Sequence, residues 1–399
     1  MNAERDHGGG IDAAIARFGG SRASWLDLST GINPLPYPVG EISADAWNAL
    51  PDRAAQTALT DAARRFWQVP EGAAVLAAPG ASALIARIPH LAPPGRVAIA
   101  GPTYNEHAAS FAQAGWNVTD GARSAGCVVS GTGTDTGIAG NADGTGNAGR
   151  TGDAGNTAGF DHSTGGAAGA PVSGPASDAA GRNPATAASA TSCIAAQVTD
   201  HATDQVTAQV VVHPNNPTGR LWSAQELHAK LRVIDESFCD ITPGATLISD
   251  AATPGTLVLK SFGKFWGLAG LRLGFAIGDP ALVSQLAAAM GPWPVSGPAL
   301  RIGARALTDH TWAASTRARL ATDSARLDRL MQARGARLTG GTGLFRLYEV
   351  PDAAAWQDHL AAHHIWSRIF PYSSRWLRLG LPATERWDQL QAALQSAPA

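Results

Sequence analysis

Apolar, β-branched runs recur along the chain, and small, polar or helix-breaking residues cut each one short. Val75-Leu76-Ala77-Ala78 ends at Pro79-Gly80, and Val97-Ala98-Ile99-Ala100 ends at Gly101-Pro102. Val210-Val211-Val212 runs into His213-Pro214-Asn215-Asn216-Pro217-Thr218-Gly219, and Val233-Ile234 into Asp235-Glu236. Thr256 to Leu259 runs into Lys260-Ser261-Phe262-Gly263-Lys264. Runs of this length, bounded by turn formers, predict buried strands. After the first turn, Ala81-Ser82-Ala83-Leu84-Ile85 predicts the start of a helix. Arg301 to Leu330 predicts a helix, with arginines between apolar positions forming a solvated face. Phe345-Arg346-Leu347 predicts an apolar strand carrying a charge that needs a partner.

One stretch breaks the pattern. From about Asp120 to about Gln205 the chain is dominated by Gly, Ala, Thr, Ser, Asn and Asp. Stretches such as Gly131-Thr132-Gly133-Thr134-Asp135-Thr136-Gly137 recur with loose variation. With almost no large apolar residue to bury, such a segment cannot offset its ordering entropy. The expectation is a disordered surface insertion, tolerated because loop length costs little.

The polar residues that end the strands carry the chemistry. A Lys at a strand end, desolvated and near a phosphate site, suits Schiff-base formation. Lys264 has this setting, and Ser261 and Arg272 flank it. Those two would hold the phosphate of pyridoxal 5′-phosphate (PLP). Asn216 can donate to the phenolic oxygen of that cofactor. Asp235 closes a strand and can pair with the protonated pyridine nitrogen, keeping the ring an electron sink. Backbone N–H groups after Gly80 would bind a phosphate at the start of the helix. Each motif by itself has a plainer reading: a surface Lys in a Gly-rich turn, an Asn-Pro turn, a loop acid, a Ser-capped helix. Tyr104 alone reads equally as a core or rim Tyr.

Asn216, Asp235 and Lys264 come in sequence, 19 and then 29 residues apart. In this order and spacing the chain resembles the fold type I PLP-dependent enzymes, in the branch of the class I and II aminotransferases. The resemblance covers nearly the whole chain except the insert. It implies an α/β fold with a mainly parallel sheet, helices on both its faces, and a smaller α/β domain. The implied layout is an arm and the start of the small domain at 1–45, a large PLP domain at 46–285 holding the insert at 120–205, and a linking helix and small domain at 286–399. A homodimer with sites at the interface is implied too. By motif, Lys264 becomes the lysine that carries PLP, Asp235 the pyridine partner and Asn216 the phenolate partner. Ser261, Arg272, Gly80, Ala81 and Ser82 become phosphate ligands, and Tyr104 the aromatic stacked on the ring. Two residues depart from the pattern. Phe238 stands where many relatives have a Tyr, which removes one phenolate hydrogen bond. Leu50, in Leu50-Pro51-Asp52, stands where many have a Tyr that reaches across the dimer to the cofactor phosphate.

The ends of the chain narrow the resemblance. His7-Gly8-Gly9-Gly10, Trp25-Leu26-Asp27-Leu28-Ser29-Thr30-Gly31-Ile32-Asn33-Pro34, Gly291-Pro292-Trp293-Pro294 and Gly341-Thr342-Gly343-Leu344-Phe345-Arg346-Leu347 look like the threonine-phosphate decarboxylase family of cobalamin biosynthesis. That family is close to histidinol-phosphate aminotransferase. Gly10 departs from the Asn or Asp that relatives often carry there. The implied reaction converts L-threonine O-3-phosphate to (R)-1-aminopropan-2-yl phosphate and CO2. Its substrate carries a phosphate and a carboxylate, so arginines must hold it. Arg378, in Trp376-Leu377-Arg378-Leu379-Gly380, resembles the superfamily's carboxylate-binding Arg. Arg346, His7 and Asn33 are the further candidates for the substrate pocket. Two alternatives stay open: an aminotransferase of the histidinol-phosphate type, and a non-catalytic PLP-fold partner protein.

Composition adds bounds. A hydrophobic fraction of 45% over 399 residues supports a substantial core. A net charge of −2 gives no sign of nucleic acid or an anionic membrane as partner. Cys127, Cys193 and Cys239 have no metal spacing, which fits a reducing cytoplasm and no metal site. The first residues are polar and charged, so no signal peptide is expected, and no apolar run approaches a membrane span. The expected partner is a small phosphorylated amino acid.

Overall fold

A computed structural model describes residues 8–121 and 206–398. The expected insert, apart from Asp120 and Gly121, lies outside the described residues, as does His7. The first strand, β1 (Leu26–Asp27), belongs to a small parallel pair described below. The large sheet is built from β2 (Ala74–Ala78), β3 (Arg96–Ile99), β4 (Asn117–Asp120), β5 (Val206–Val212), β6 (Leu231–Asp235), β7 (Thr256–Ser261) and β8 (Gly274–Gly278). Each apolar run singled out in the sequence falls within or overlaps one of these strands. Their order across the sheet is β2-β8-β7-β6-β5-β3-β4. The pairs from β4 to β7 are all parallel, and β8 runs antiparallel to both its neighbours.

Such a sheet must be covered on both faces, so its central strands read as continuous apolar runs rather than alternating ones. Val211, Ile234, Val258 and Ile277 enter one buried cluster. Val210, Val233, Leu257, Leu259 and Ala276 enter another. Val233 and Ile234 are fully buried, and each such side chain contributes about 1.5–3 kcal/mol as an upper estimate.

A second sheet is antiparallel: β9 (Arg337–Thr342), β10 (Phe345–Glu349), β12 (Arg368–Phe370) and β13 (Ser373–Gly380), in the order β12-β13-β10-β9. The short β11 (Ile365–Trp366) pairs in parallel with β1, so the N-terminal segment joins the C-terminal part of the chain. Among the described residues no helix is long and apolar enough to cross a membrane.

The helical region expected at Arg301 to Leu330 is divided. One helix spans Gly297–Thr308 and the next His310–Gln332. Asp309 makes the break, because its side chain accepts from Trp312 N at 2.9 Å and so caps the second helix. The arginines here are not simply a solvated face. Arg319 donates to Asn33 Oδ1 at 2.6 Å, Arg326 to Gln391 at 2.5 Å and Arg317 to the Asp240 carbonyl at 2.8 Å. These bonds tie the helix to its neighbours.

Candidate active site

In a parallel sheet the carboxyl ends of the strands lie along one edge, where ligands bind. Here that edge gathers Ile99, Val212, Asp235 and Ser261 with the loops that follow them. The antiparallel β8 enters from the same edge, so Arg272, just before it, joins the group. The pairings Ala78↔Gly274 and Ser261↔Gly274 set three chain segments side by side there. A Cβ on Gly274 would stand 2.5 Å from Ala81 N, so only glycine permits this approach of β8 to the helix Ala81–Ile85. Gly80 has φ of 88°, a left-handed conformation that glycine adopts without strain. A Cβ there would lie 2.6 Å from Arg272 Nη2.

A cavity of about 140 Å³ lies at this edge. Gly80, Ala81, Ser82, Tyr104, Asn216, Asp235, Ser261, Lys264 and Arg272 all line it, together with Ser237 and Phe238. The structure thus brings together every residue that the sequence nominated for the cofactor.

Asp235 is 2% exposed. Its Oδ2 lies 2.9 Å from His107 Nε2, and its Oδ1 accepts from Ser237 N at 3.0 Å and Ser237 Oγ at 2.5 Å. Burial pushes its carboxyl up, but the hydrogen bond and charge of His107 and the bonds from Ser237 hold it below the ordinary value. The Lys264 amine moves the other way. Burial, then the charges of Arg378 and Arg272, pull it down to about 8 against the pull of Asp235. Lys264 Nζ stands 5.2 Å from the centre of the Phe238 ring. Asn216 Oδ1 accepts from Arg378, which leaves the amide Nδ2 as its donor.

A second cavity, of about 350 Å³, shares Tyr104, Asn216, Phe238 and Lys264 with the first. Arg378 lines it, 5% exposed, and also donates to the Ser29 carbonyl. Gly8, Phe370, Tyr372 and Arg368 line it too. Arg368 pairs in register with Arg378 across β12 and β13, so the two side chains stand on one face of the sheet.

Two of the expected substrate residues lie elsewhere. Arg346 makes a two-pronged ion pair with Asp328, Nε to Oδ1 at 3.0 Å and Nη2 to Oδ2 at 2.8 Å. The reason is register. Leu347, not Arg346, lies opposite Arg378, so Arg346 takes the other face of the small sheet. Asn33 is buried, and its side chain binds Phe265 O at 2.9 Å, Leu35 N at 3.1 Å and Arg319. Its own N–H donates to Lys264 O at 3.0 Å, so it braces the Lys264 loop from behind rather than facing the cavity.

The sequence reading missed His107, Ser237 and Arg368. His107 stood three residues beyond Tyr104 in a helical stretch, a spacing that puts both on one face. Arg368 stood in the apolar run Ile365-Trp366-Ser367-Arg368-Ile369-Phe370, the same signal that singled out Arg346.

The aminotransferase class I and II family model matches residues 190–396. A threonine-phosphate decarboxylase from Sinorhizobium sp is 34% identical, covering 98% of this chain and 97% of that protein. The threonine-phosphate decarboxylase of Pseudomonas aeruginosa is 33% identical over the same shares. The fold is similar to the crystal structure of histidinol-phosphate aminotransferase from Sinorhizobium meliloti in complex with PLP. There the TM-score is 0.67 at 15% identity, covering 97% of this chain and 93% of that one.

Proposed function

We infer, from the premise that the chain belongs to the threonine-phosphate decarboxylase family within the class I and II aminotransferases, that it releases CO2 from L-threonine O-3-phosphate with the aid of PLP. The product is (R)-1-aminopropan-2-yl phosphate, used in cobalamin biosynthesis.

The residues present fit the cofactor. The Gly80 and Gly274 contacts make a cradle that a side chain would fill, beside Ser82, Ser261 and Arg272 as donors for a phosphate. Asp235, held ionised, suits a protonated ring nitrogen, and the Asn216 amide suits a phenolate oxygen. Bound PLP would supply an electron sink in conjugation with the substrate's Cα.

The chain's own residues do the rest. With its pKa near 8, well below an ordinary lysine, a usable share of the Lys264 amine is unprotonated from neutral pH upward, which makes it a nucleophile and later a proton carrier at Cα. His107 and Ser237 keep Asp235 ionised and fix its direction. The groups that grip the substrate's two anions would set how its Cα is presented, and so would select which of its bonds is cleaved.

The observation that carries the reading is the register pairing of Arg368 with Arg378 beside Lys264. Two arginines on one face of the sheet at one cavity suit an anionic ligand. A phosphate and a carboxylate on one small molecule match them. As the carboxylate becomes neutral CO2, its grip weakens, and the arginine on the phosphate must keep the molecule in place. Holoenzyme turning over L-threonine O-3-phosphate with one CO2 per amine product supports this function. A 2-oxo acid in place of CO2 would assign the site to transamination.

We also propose a cytoplasmic homodimer and a division into 1–45, 46–285 and 286–399. Trp47, Leu50 and Trp293 are 68%, 67% and 51% exposed, large apolar side chains that a second copy would cover. The large sheet lies wholly within the middle range and the small one within the last.

A further inference from the structure

Side chains alternate along a strand, so neighbours at the ends of β6 and β7 face opposite ways. Asp235 and Ser261 face the cofactor cavity. Glu236 and Lys260 meet on the other side, with Lys260 Nζ 2.6 Å from Glu236 Oε2 and 3.5 Å from Asp240 Oδ1. Glu236 also accepts from Thr246 Oγ1 and from Leu247 N, each at 2.6 Å. Asp240 accepts the indole N–H of Trp67 at 2.8 Å and that of Trp266 at 3.0 Å. Glu236, Asp240, Lys260 and Trp266 are all buried. Burial disfavours the Lys260 ammonium, but Glu236 and Asp240 outweigh it and its pKa is raised, so the pair is ionic.

The ligand atoms of His213, Glu236 and Cys239 lie within 4.8 Å of one another in the same region. His213 Nδ1 accepts from Trp222 N at 2.9 Å and its Nε2–H donates to Ala245 O at 2.5 Å. Hydrogen bonds within the protein therefore occupy these groups.

A buried ion pair stabilises a fold no better than apolar side chains of the same shape, but it fixes geometry. These bonds cross between the two segments that carry Asp235 and Lys264. Glu236 follows Asp235 directly, and Asp240 lies in the 3-10 turn just beyond. Lys260 precedes Lys264 by four residues, and Trp266 follows it by two. The Lys264 loop is thus pinned on both sides to the Asp235 segment, from the face away from the cavity. We infer that Glu236, Asp240, Lys260 and Trp266 are positioning residues that fix Lys264 relative to Asp235 for catalysis. The inference rests on the proposed roles of Asp235 and Lys264 toward PLP.

Two mild variants test it. Trp266→Phe keeps an aromatic ring between Phe262 and Trp312, on which Trp266 stacks at 5.1 and 5.3 Å, and removes the N–H. Glu236→Gln keeps the shape and removes the charge. Holoenzyme of each is titrated by the absorbance of its Lys264-bound cofactor against pH, and then assayed for turnover. The midpoint should move by about half a pH unit or more. The kcat should fall about tenfold or more with KM within about twofold, since a 1 Å misplacement can cost about 100-fold. Circular dichroism should match the parent. If both variants merely melt earlier and reproduce the parent's midpoint and kcat, the residues are structural only and the inference fails. If one variant is insoluble, the other decides. The titration needs no substrate, so a wrong substrate assignment would silence the parent's turnover and leave this readout intact.

Discussion

Arg368→Gln tests ligand recognition, because Arg368 lines the larger cavity and stands in register with Arg378. Toward substrate, the change removes charge-assisted hydrogen bonds to an anion, worth about 1.5–3 kcal/mol. At about 1.36 kcal/mol per tenfold, kcat/KM should fall about 10- to 150-fold. Arg346→Gln is the matched control. Its ion pair with Asp328 is largely buried, and Tyr348 OH also donates to Asp328 Oδ1 at 2.7 Å. Asp328 would lose its cation, at a cost of about 2 kcal/mol, below the ~3–5 kcal/mol of a fully buried pair because both groups keep some exposure. The melting temperature should drop by about 4 °C, with kcat/KM within about twofold. Steady-state CO2 release and thermal melting of both holoenzymes make the comparison. An Arg368→Gln enzyme with unchanged kcat/KM, or an Arg346→Gln enzyme as impaired in turnover as Arg368→Gln, would refute the register argument.

Other expectations follow from the same geometry. Because the Lys264 amine is pulled down to about 8, the rate at which apoprotein captures PLP should climb about tenfold per pH unit below 8 and level off above it; stopped-flow absorbance that keeps climbing to pH 10 would contradict this. His107→Leu removes the bond and charge that hold the Asp235 carboxyl low, so the acid limb of kcat/KM should move to higher pH; a limb that stays in place would detach His107 from that role. Gly80→Ala forces a side chain into φ of 88°, a strain of about 1–2 kcal/mol, so PLP should bind about tenfold more weakly, as measured by dialysis equilibrium.

Much of the cavity proposed for the cofactor was legible because strand ends are local signals. Asn216, Asp235, Ser261 and Lys264 each follow a β-branched run, and a parallel sheet sends all such ends to one edge. Gly80 and Arg272, proposed for the phosphate, were legible as residues at strand ends too, Gly80 just after β2 and Arg272 just before β8. The substrate side was not, because register between distant strands decides it. Arg346 and Arg368 look alike in sequence, each a charge in an apolar strand. Only the pairings Leu347↔Arg378 and Arg368↔Arg378 send one to Asp328 and the other to the cavity. Asn33 illustrates a different limit. Its surroundings in sequence pointed to the pocket, but its partners Phe265 and Arg319 are over 200 residues away. The break at Asp309 was missed because a helix-capping acid and a solvated one look the same without the Trp312 N–H beside it.

The most direct test of the account follows the α-hydrogen. Holoenzyme is given L-threonine O-3-phosphate deuterated at Cα, and the amine product is weighed by mass spectrometry alongside the CO2 released. Decarboxylation with Arg368 and Arg378 holding the substrate predicts one CO2 per amine, with the deuterium retained. Loss of the deuterium to solvent together with a 2-oxo acid product and no CO2 would contradict it.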